Sequence, residues 1–364
     1  MNRLPIFWAL AALGVFILPS SRAQAPNITA TQADSFTANG AGRATTGNPV
    51  TYTITISNAA GAGTATNTKI NNPTPLNTTL GTIQTTCLAI NDAYPCTGNI
   101  AITIPSGTGV LANDADPDNV GPAITATAIS GGATEKGGTV TMNTNGSFTY
   151  NPPAGYTGAD TFSYTLNDGE GNTDTAVVTI TVSDMIWFID ENQTSNGDGR
   201  LSSPFNNLAS FQAINDGNGN HPKAGQSIFL YESWDVVALS GDDYTGGIDL
   251  LANQRLIGQD ATGTLAALAG VTLATGSAAL PTFNATANKI VRLVNAAGNG
   301  VVLATGNTLN GFTIGNTGAS SNDITGTAVG SLNVSNVSCI GTGGIIRVDT
   351  SGTLNVTLDN ATST

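Results

Sequence analysis

The sequence predicts an all-β chain in which the strands of an antiparallel sandwich precede a stack of parallel coils. Three observations carry this prediction. Between Cys87 and Asp184, short runs alternate apolar and polar residues and are separated by Asp, Asn, Gly and Pro, the residues that tight reversals require. Beyond Met185 the triplets Thr308-Leu309-Asn310, Ser331-Leu332-Asn333 and Thr353-Leu354-Asn355 recur 23 and then 22 residues apart, and each opens a β-rich run. Among 364 residues, 44 are glycine and only 10% are charged, and no stripe of Leu, Glu, Lys and Arg follows the amino-terminal segment, so nothing sustains an amphipathic helix.

The amino terminus is read as an export signal. Asn2 and Arg3 precede an apolar run from Leu4 to Leu18 and small residues from Ser20 to Ala25. Gly14 interrupts the run and Pro19 ends it, which leaves it short for a membrane helix. Residues 1–23 are therefore expected to be a signal peptide, cut after Ala23 because a cut after Ala25 would set Pro26 beside the scissile bond. The mature chain is expected to have no membrane span and to be secreted or displayed at the cell surface.

Residues 24–86 are expected to form a small β domain, with completion of the sandwich that follows as the alternative. In Gly47–Asn58, Val50, Tyr52, Ile54 and Ile56 fall on one face and threonines on the other, the pattern of a half-buried antiparallel strand. The segment resembles a short bacterial surface repeat with the hallmark G-D-x-V-T-Y-T-I-T-V-x-N and a following D-P-L-P-like turn. Asn48 stands where that repeat has an acidic residue, and Asn72-Pro73-Thr74-Pro75-Leu76 matches the turn loosely.

Residues 87–184 are expected to form a sandwich. Phe148 and Tyr150 share a face, as do Phe162, Tyr164 and Leu166, and again Val178, Ile180 and Val182. Phe148, Phe162, Tyr164 and Ile180 are the expected core. The turn Asn113-Asp114-Ala115-Asp116-Pro117-Asp118, the strand Gly146-Ser147-Phe148-Thr149-Tyr150-Asn151-Pro152 and the run Gly158-Ala159-Asp160-Thr161-Phe162-Ser163-Tyr164 resemble the cadherin-like, immunoglobulin-like tandem repeat of bacterial surface proteins. The resemblance implies an immunoglobulin-like sandwich that acts as a spacer or adhesive unit without catalysis.

Two features of this region have alternative readings. Asp114, Asp116 and Asp118 can turn hard oxygen ligands towards one point, with Asp160 or Asp168 joining from other turns, which is the donor chemistry of Ca²⁺. The simpler and favoured reading is that they cap turns through their own backbone, with no cofactor. Cys87 and Cys96 flank a short loop and could close a disulfide in an exported protein. Cys339 is expected to be a small buried residue.

Residues 185–364 are expected to form a right-handed parallel β-helix. Leucine-rich repeats have a comparable period but need a denser leucine framework. The strings Ile186-Trp187-Phe188-Ile189-Asp190 and Gly197-Asp198-Gly199-Arg200-Leu201-Ser202-Ser203-Pro204-Phe205 resemble the opening coils of pectate-lyase-like β-helices in bacterial beta-strand-repeat surface proteins. The period places Leu309, Leu332 and Leu354 in one inward column and Thr313, Ser335 and Thr357 in an outward polar ladder.

No catalytic residues are assigned. Asp242-Asp243 reads as a turn, Arg255, Lys289, Arg292 and Arg347 are scattered, and the single histidine, His221, lies in a Gly/Asn loop. A formal charge of -13 argues against nucleic acid and favours solubility or divalent-cation capture. The expectation is a non-catalytic adhesin or structural protein whose partners are surface glycans or matrix and cell-surface proteins. The alternative is a carbohydrate-active β-helix enzyme, a polysaccharide lyase or glycoside hydrolase, with accessory sandwiches.

Overall fold

The computed structural model describes residues 28–36, 50–58, 87–116, 122–232, 243–283, 290–349 and 353–362. The expected signal peptide, the Asn72–Leu76 turn, Asp118, Asp242 and Lys289 lie outside the described residues. The chain is mostly β and divides into two compact units, Met1–Ile83 and Gln84–Thr364. In the first unit, β1 (Ile28–Phe36) and β2 (Val50–Asn58) pair antiparallel along their whole length, from Ile28 opposite Asn58 to Phe36 opposite Val50.

The second unit begins with a sandwich of two four-stranded layers. Its strands are β3 (Asp92–Gly98), β4 (Ile102–Ile104), β5 (Thr125–Ala126), β6 (Ile129–Ala133), β7 (Thr139–Met142), β8 (Phe148–Asn151), β9 (Gly158–Asn167) and β10 (Thr173–Ile189). One layer runs β4-β8-β7-β6 and is antiparallel throughout. The other places β10 between β3 and β9, with β5 on the far edge of β9, and only the β3–β10 pair is parallel. Val140, Met142, Phe148 and Tyr150 from the first layer meet Phe162, Tyr164, Leu166, Val178, Ile180 and Val182 from the second. The four expected core residues are all buried there, and Phe148 meets Phe162 edge to face at 5.6 Å.

β10 joins the sandwich to the rest of the unit without a linker. Over Ala176–Val182 it buries alternate residues, as a strand with one face on a core must. From Met185 to Ile189 every residue is buried. The change occurs at Asp184, whose φ of 55° bends the strand, and the β3 register shifts beside it. The domain boundary expected between Asp184 and Met185 thus falls inside one continuous strand.

The junction is packed and hydrogen-bonded. Asn99, fully buried and in the left-handed region at φ 65°, donates from Nδ2 to the carbonyl of Ile186 at 3.0 Å. Its Oδ1 accepts from the Gly155 N–H at 2.8 Å and its own carbonyl accepts from the Leu201 N–H at 2.9 Å. Ile100 enters an apolar cluster with Ile186, Phe188, Phe229 and Ile257. Gly155, at φ 66°, brings a sandwich loop so close that a Cβ there would stand 1.7 Å from the carbonyl oxygen of Asn220.

The remaining elements are α1 (Leu208–Gln212), β11 (Ser227–Leu230), β12 (Tyr244–Thr245), β13 (Ile248–Asp249), β14 (Arg255–Gly258), α2 (Leu265–Ala269), β15 (Arg292–Asn295), β16 (Val301–Leu303), β17 (Thr308–Thr317), β18 (Asn322–Gly326), β19 (Leu332–Cys339), β20 (Gly344–Val348) and β21 (Leu354–Ala361). All strand pairs among them are parallel. β10, β11, β14, β17, β19 and β21 form one ladder, in which Trp187, Ile228, Leu256, Leu309, Val334 and Val356 stand in one column. β13, β16, β18 and β20 form a second, with Ile248, Val301, Ile324 and Ile346 in register. Tyr244, Leu293, Ile314, Cys339 and Ala361 form a third column. Each column turns apolar side chains towards a shared core in which Tyr244, Ile248, Leu309, Ile324 and Cys339 are buried, whereas Ile346 and Val356 on the last rungs are exposed.

The column of three leucines is corrected by this register. Leu332 faces Leu354 as expected, but Leu309 faces Val334, so the first step is 25 residues and not 23. A two-residue slip preserves which side chains point inward, so leucine spacing cannot choose between the two. Packing chooses: in the observed register Phe312 faces Val337 and Ile314 faces Cys339, whereas the shorter step would set Phe312 against Ser335. The outward ladder shifts accordingly, with Thr313 opposite Ser338 and Ser335 opposite Asn310.

Candidate binding surface

The acidic turn of the sandwich is a hydrogen-bonded clasp. Asp114 accepts from the Tyr164 hydroxyl at 2.9 and 2.8 Å through its two oxygens and from the Ile90 N–H at 2.8 Å. Burial pushes the Asp114 carboxyl above the ordinary carboxylate range. The neighbouring Asp92 rises to about 6 because it is buried and faces the Asp114 charge. Asp160 occupies a different network. It is fully buried and accepts from the Tyr150 hydroxyl, the Thr134 hydroxyl and the N–H groups of Lys136 and Thr161.

The structure therefore splits the residues proposed as Ca²⁺ ligands. Asp114 belongs to the Tyr164 clasp, Asp160 to the Tyr150 network, and Asp118 lies outside the described residues. Asp116 sits beside Cys87, whose thiol is raised by burial and by the carboxylates of Asp168, Asp174 and Asp116. Asp168 closes the β9–β10 turn by accepting from the N–H groups of Glu170 and Asn172. Among the described residues, no group of three or more His, Cys, Asp or Glu side chains could hold a metal ion.

Cys87 and Cys96 are both buried and both free. The Cys96 sulfur points at the carbonyls of Ile100 and Thr97, at 3.3 and 3.5 Å, and burial raises its thiol to about 12. Cys339 is buried in the third column, with its thiol raised to about 12 by burial and by Asp323.

Long-range pairing places two charged residues that sequence spacing left isolated. Arg292 grips Asp243 with two hydrogen bonds of 2.6 Å, and both side chains are largely shielded. They come together because Tyr244 and Leu293 are register partners, an adjacency that a separation of 49 positions conceals. Arg255 donates to the carbonyl of Ala269 at the end of α2. His221 meets Asp216 at 2.8 Å in an exposed loop, where the Asn218 N–H and His221 hold the Asp216 carboxyl down at about 2.

The outward face of the long ladder changes character along its length. In the first rungs its column reads Phe188, Phe229 and Ile257, all buried beneath Ile100 and the Leu265 and Ala269 side chains of α2. In the later rungs the same column continues as Asn310 and Ser335, and the adjacent outward column reads Thr308, Asn333 and Asn355. Asn310 donates to the Ser335 hydroxyl at 2.8 Å and Asn355 donates to Asn333 Oδ1 at 3.1 Å. A shallow groove lies over Asn333, Ser335, Asn355 and Thr357, with Val334, Leu354 and Val356 also in its lining. A second groove, lined by the turn after β14 and the start of α2, has an apolar wall that includes Leu273, Leu280 and Phe283.

Gly311 lets the turn that lines the second groove approach the long ladder. Its φ of 77° and the approach of the Ala261 N–H, 2.2 Å from where a Cβ would sit, let the turn after β14 lie directly on β17. From that turn the Thr262 hydroxyl reaches Asn336 at 3.5 Å.

Among the described residues no helix is long and apolar enough to cross a membrane. No curated protein matches the chain. Residues 85–184, the sandwich with the first part of its junction strand, match the bacterial cadherin-like domain family.

Proposed function

We propose that the protein is a non-catalytic adhesin or structural protein of the bacterial cell exterior, in which a cadherin-like sandwich holds a β-helical binding surface. The observation that carries this reading is β10, one strand that is both the centre of the sandwich layer and the first rung of the parallel stack. A domain similar to those of bacterial surface proteins is thereby built into an elongated array of parallel rungs. Three inward columns with parallel neighbours are what a right-handed β-helix would produce, and they support that assignment. The amino-terminal apolar run supports export through a signal peptide spanning residues 1–23, and residues 24–86 are read as a separate small β domain. Partners are surface glycans or matrix and cell-surface proteins.

A binding role, and not turnover, is supported by how the charged side chains are used. Arg292 and Asp243 neutralise each other, and Arg255 is tied to the end of α2. The open outward columns present Thr, Asn and Ser instead. The test is to pass the full-length protein over surfaces coated with glycans and with matrix proteins while assaying the soluble phase for released sugars. Retention without release is expected. Release of unsaturated or reducing ends would replace this reading with that of a carbohydrate-active β-helix enzyme.

A further inference from the structure

We propose that the outward polar columns formed by Thr308, Asn310, Asn333, Ser335, Asn355 and Thr357 bind a neutral glycan chain lying along the stack; the inference rests on the β-helical binding surface described above. Three features of the site point to this ligand class. The first is chemistry: each position carries a hydroxyl or a carboxamide, groups that both donate to and accept from sugar hydroxyls, and none carries a charge. A chain of net charge -13 repels polyanions, which sets neutral glycans apart from acidic ones.

The second feature is spacing. Neighbouring parallel strands lie about 4.8 Å apart, close to the advance per sugar in an extended β-1,4-linked chain. Thr308, Asn333 and Asn355 are direct register partners, so successive sugars meet equivalent side chains.

The third is an unmet hydrogen-bonding demand beneath the columns. Asn310 is only 7% exposed and spends its Nδ2 on Ser335, while its Oδ1 accepts no hydrogen bond among the described residues. A buried amide oxygen without a donor is unfavourable. Because Asn310 donates to Ser335 Oγ, the Ser335 proton is left to point elsewhere, and a sugar hydroxyl entering beside Ser335 can accept it.

The experiment is calorimetric titration of the full-length protein with three hexasaccharides: cellohexaose and chitohexaose, which are neutral, and hexagalacturonate, which is acidic. Binding of a neutral hexasaccharide, at least tenfold tighter than hexagalacturonate, is expected. The double substitution Asn333→Ala/Asn355→Ala should weaken it at least tenfold, with the melting temperature unchanged because both side chains are exposed. Arg347→Ala, on exposed β20 of the other ladder, should leave affinity unchanged. Equal affinity in the double variant, or loss confined to Arg347→Ala, would overturn the site. Preference for hexagalacturonate would overturn the ligand class. Failure of all three sugars, with the protein still retained on matrix-protein surfaces, would overturn the glycan inference and leave the adhesive reading intact; failure on every surface would overturn the adhesive reading itself.

Discussion

The two ends of β10 solve the same burial problem differently. Between Ala176 and Val182 the strand hides one side chain in two, and the sandwich stays legible as alternation. Between Met185 and Ile189 it hides every one, because Trp187 and Ile189 face the stack's core while Ile186 and Phe188 face the cluster around Ile100 and α2. A parallel rung covered on both sides has no polar face to advertise. Only Ser183 and Asp184 separate the regimes, Ala176–Val182 and Met185–Ile189, and the left-handed backbone at Asp184 marks the switch. The difference teaches that sandwich and stack are not beads on a string. Their cores meet across Asn99 and Ile100.

The sharpest way to break that view is to unfold one half and watch the other. Phe162→Ala removes a buried ring that packs on Phe148, at a cost of about 3–5 kcal/mol. If the halves are coupled, calorimetry of the full-length protein should show the sandwich and the parallel stack still melting in one shared transition, displaced to lower temperature. A low-temperature sandwich transition followed by an unshifted second one would show that the halves unfold independently.

A smaller effect isolates the junction itself. Asn99→Ala deletes the donor to Ile186 and the acceptor for Gly155, and it puts an alanine at φ 65°, for a total of about 2–4 kcal/mol. Asn99→Gly relieves only the backbone and should recover the smaller part. Hydrogen exchange should then show protection lost at Ile186 and Leu201 before it is lost in β17 or β19. Loss spread evenly over the whole unit would mean that Asn99 acts through global stability alone.

How far the sequence foretold these regions follows from the same contrast. Alternation placed Phe148, Phe162, Tyr164 and Ile180 in the core, because a period of two leaves a local trace. The parallel register was harder, since sliding by two residues leaves that trace unchanged. A better signal was present: Asn310-Gly311-Phe312 and Ser335-Asn336-Val337 align at a step of 25, each with a left-handed residue, Gly311 at φ 77° and Asn336 at φ 51°. Gly and Asn are the residues that tolerate that conformation, so the repeating corner was written in turn chemistry and not in leucines. The pairing of Asp243 with Arg292, the separation of Asp114 from Asp160 and the free thiols of Cys87 and Cys96 left no such trace. Each depends on which distant strands become neighbours.

Electrostatics offers a finer comparison, because burial raises carboxyls in both halves. Asp260 on the stack rises to about 7 through burial and the nearby Glu232 charge, and Asp92 in the sandwich to about 6. In the folded state both groups hold a proton more tightly than in the unfolded chain. Their stabilising contribution is therefore complete below about pH 4 and is lost as pH rises to about 6 for Asp92 and about 7 for Asp260. Asp260→Asn keeps an acceptor for the Val291 N–H and should raise stability at pH 8 by about 1 kcal/mol, a value discounted for partial solvent screening, with little change at pH 4. Equal effects of the substitution at the two pH values would remove ionisation as the cause.

The smallest expected effect separates the two readings of the acidic turn. In the clasp, Asp114 works as a hydrogen-bond acceptor for Tyr164 and Ile90, and protein donors supply what its oxygens need. Asp114→Asn retains one acceptor oxygen and replaces the other with an amide that faces the Tyr164 hydroxyl, so the cost should be about 1 kcal/mol. That cost should be the same in Ca²⁺ and in chelator, and the unsubstituted protein should melt at one temperature in both. Ligation would behave differently: at a site of about 10 µM affinity, millimolar Ca²⁺ would stabilise the folded state by about 2.7 kcal/mol, and Asp114→Asn would erase most of that gain. A Ca²⁺-dependent melting shift abolished by the substitution would make the clasp one wall of a metal site completed by residues such as Asp118. Without that shift, the Tyr164–Asp114 pair is a fastening between β9 and the turn, built from the same Asp chemistry that elsewhere in the sandwich closes the Asp168 turn.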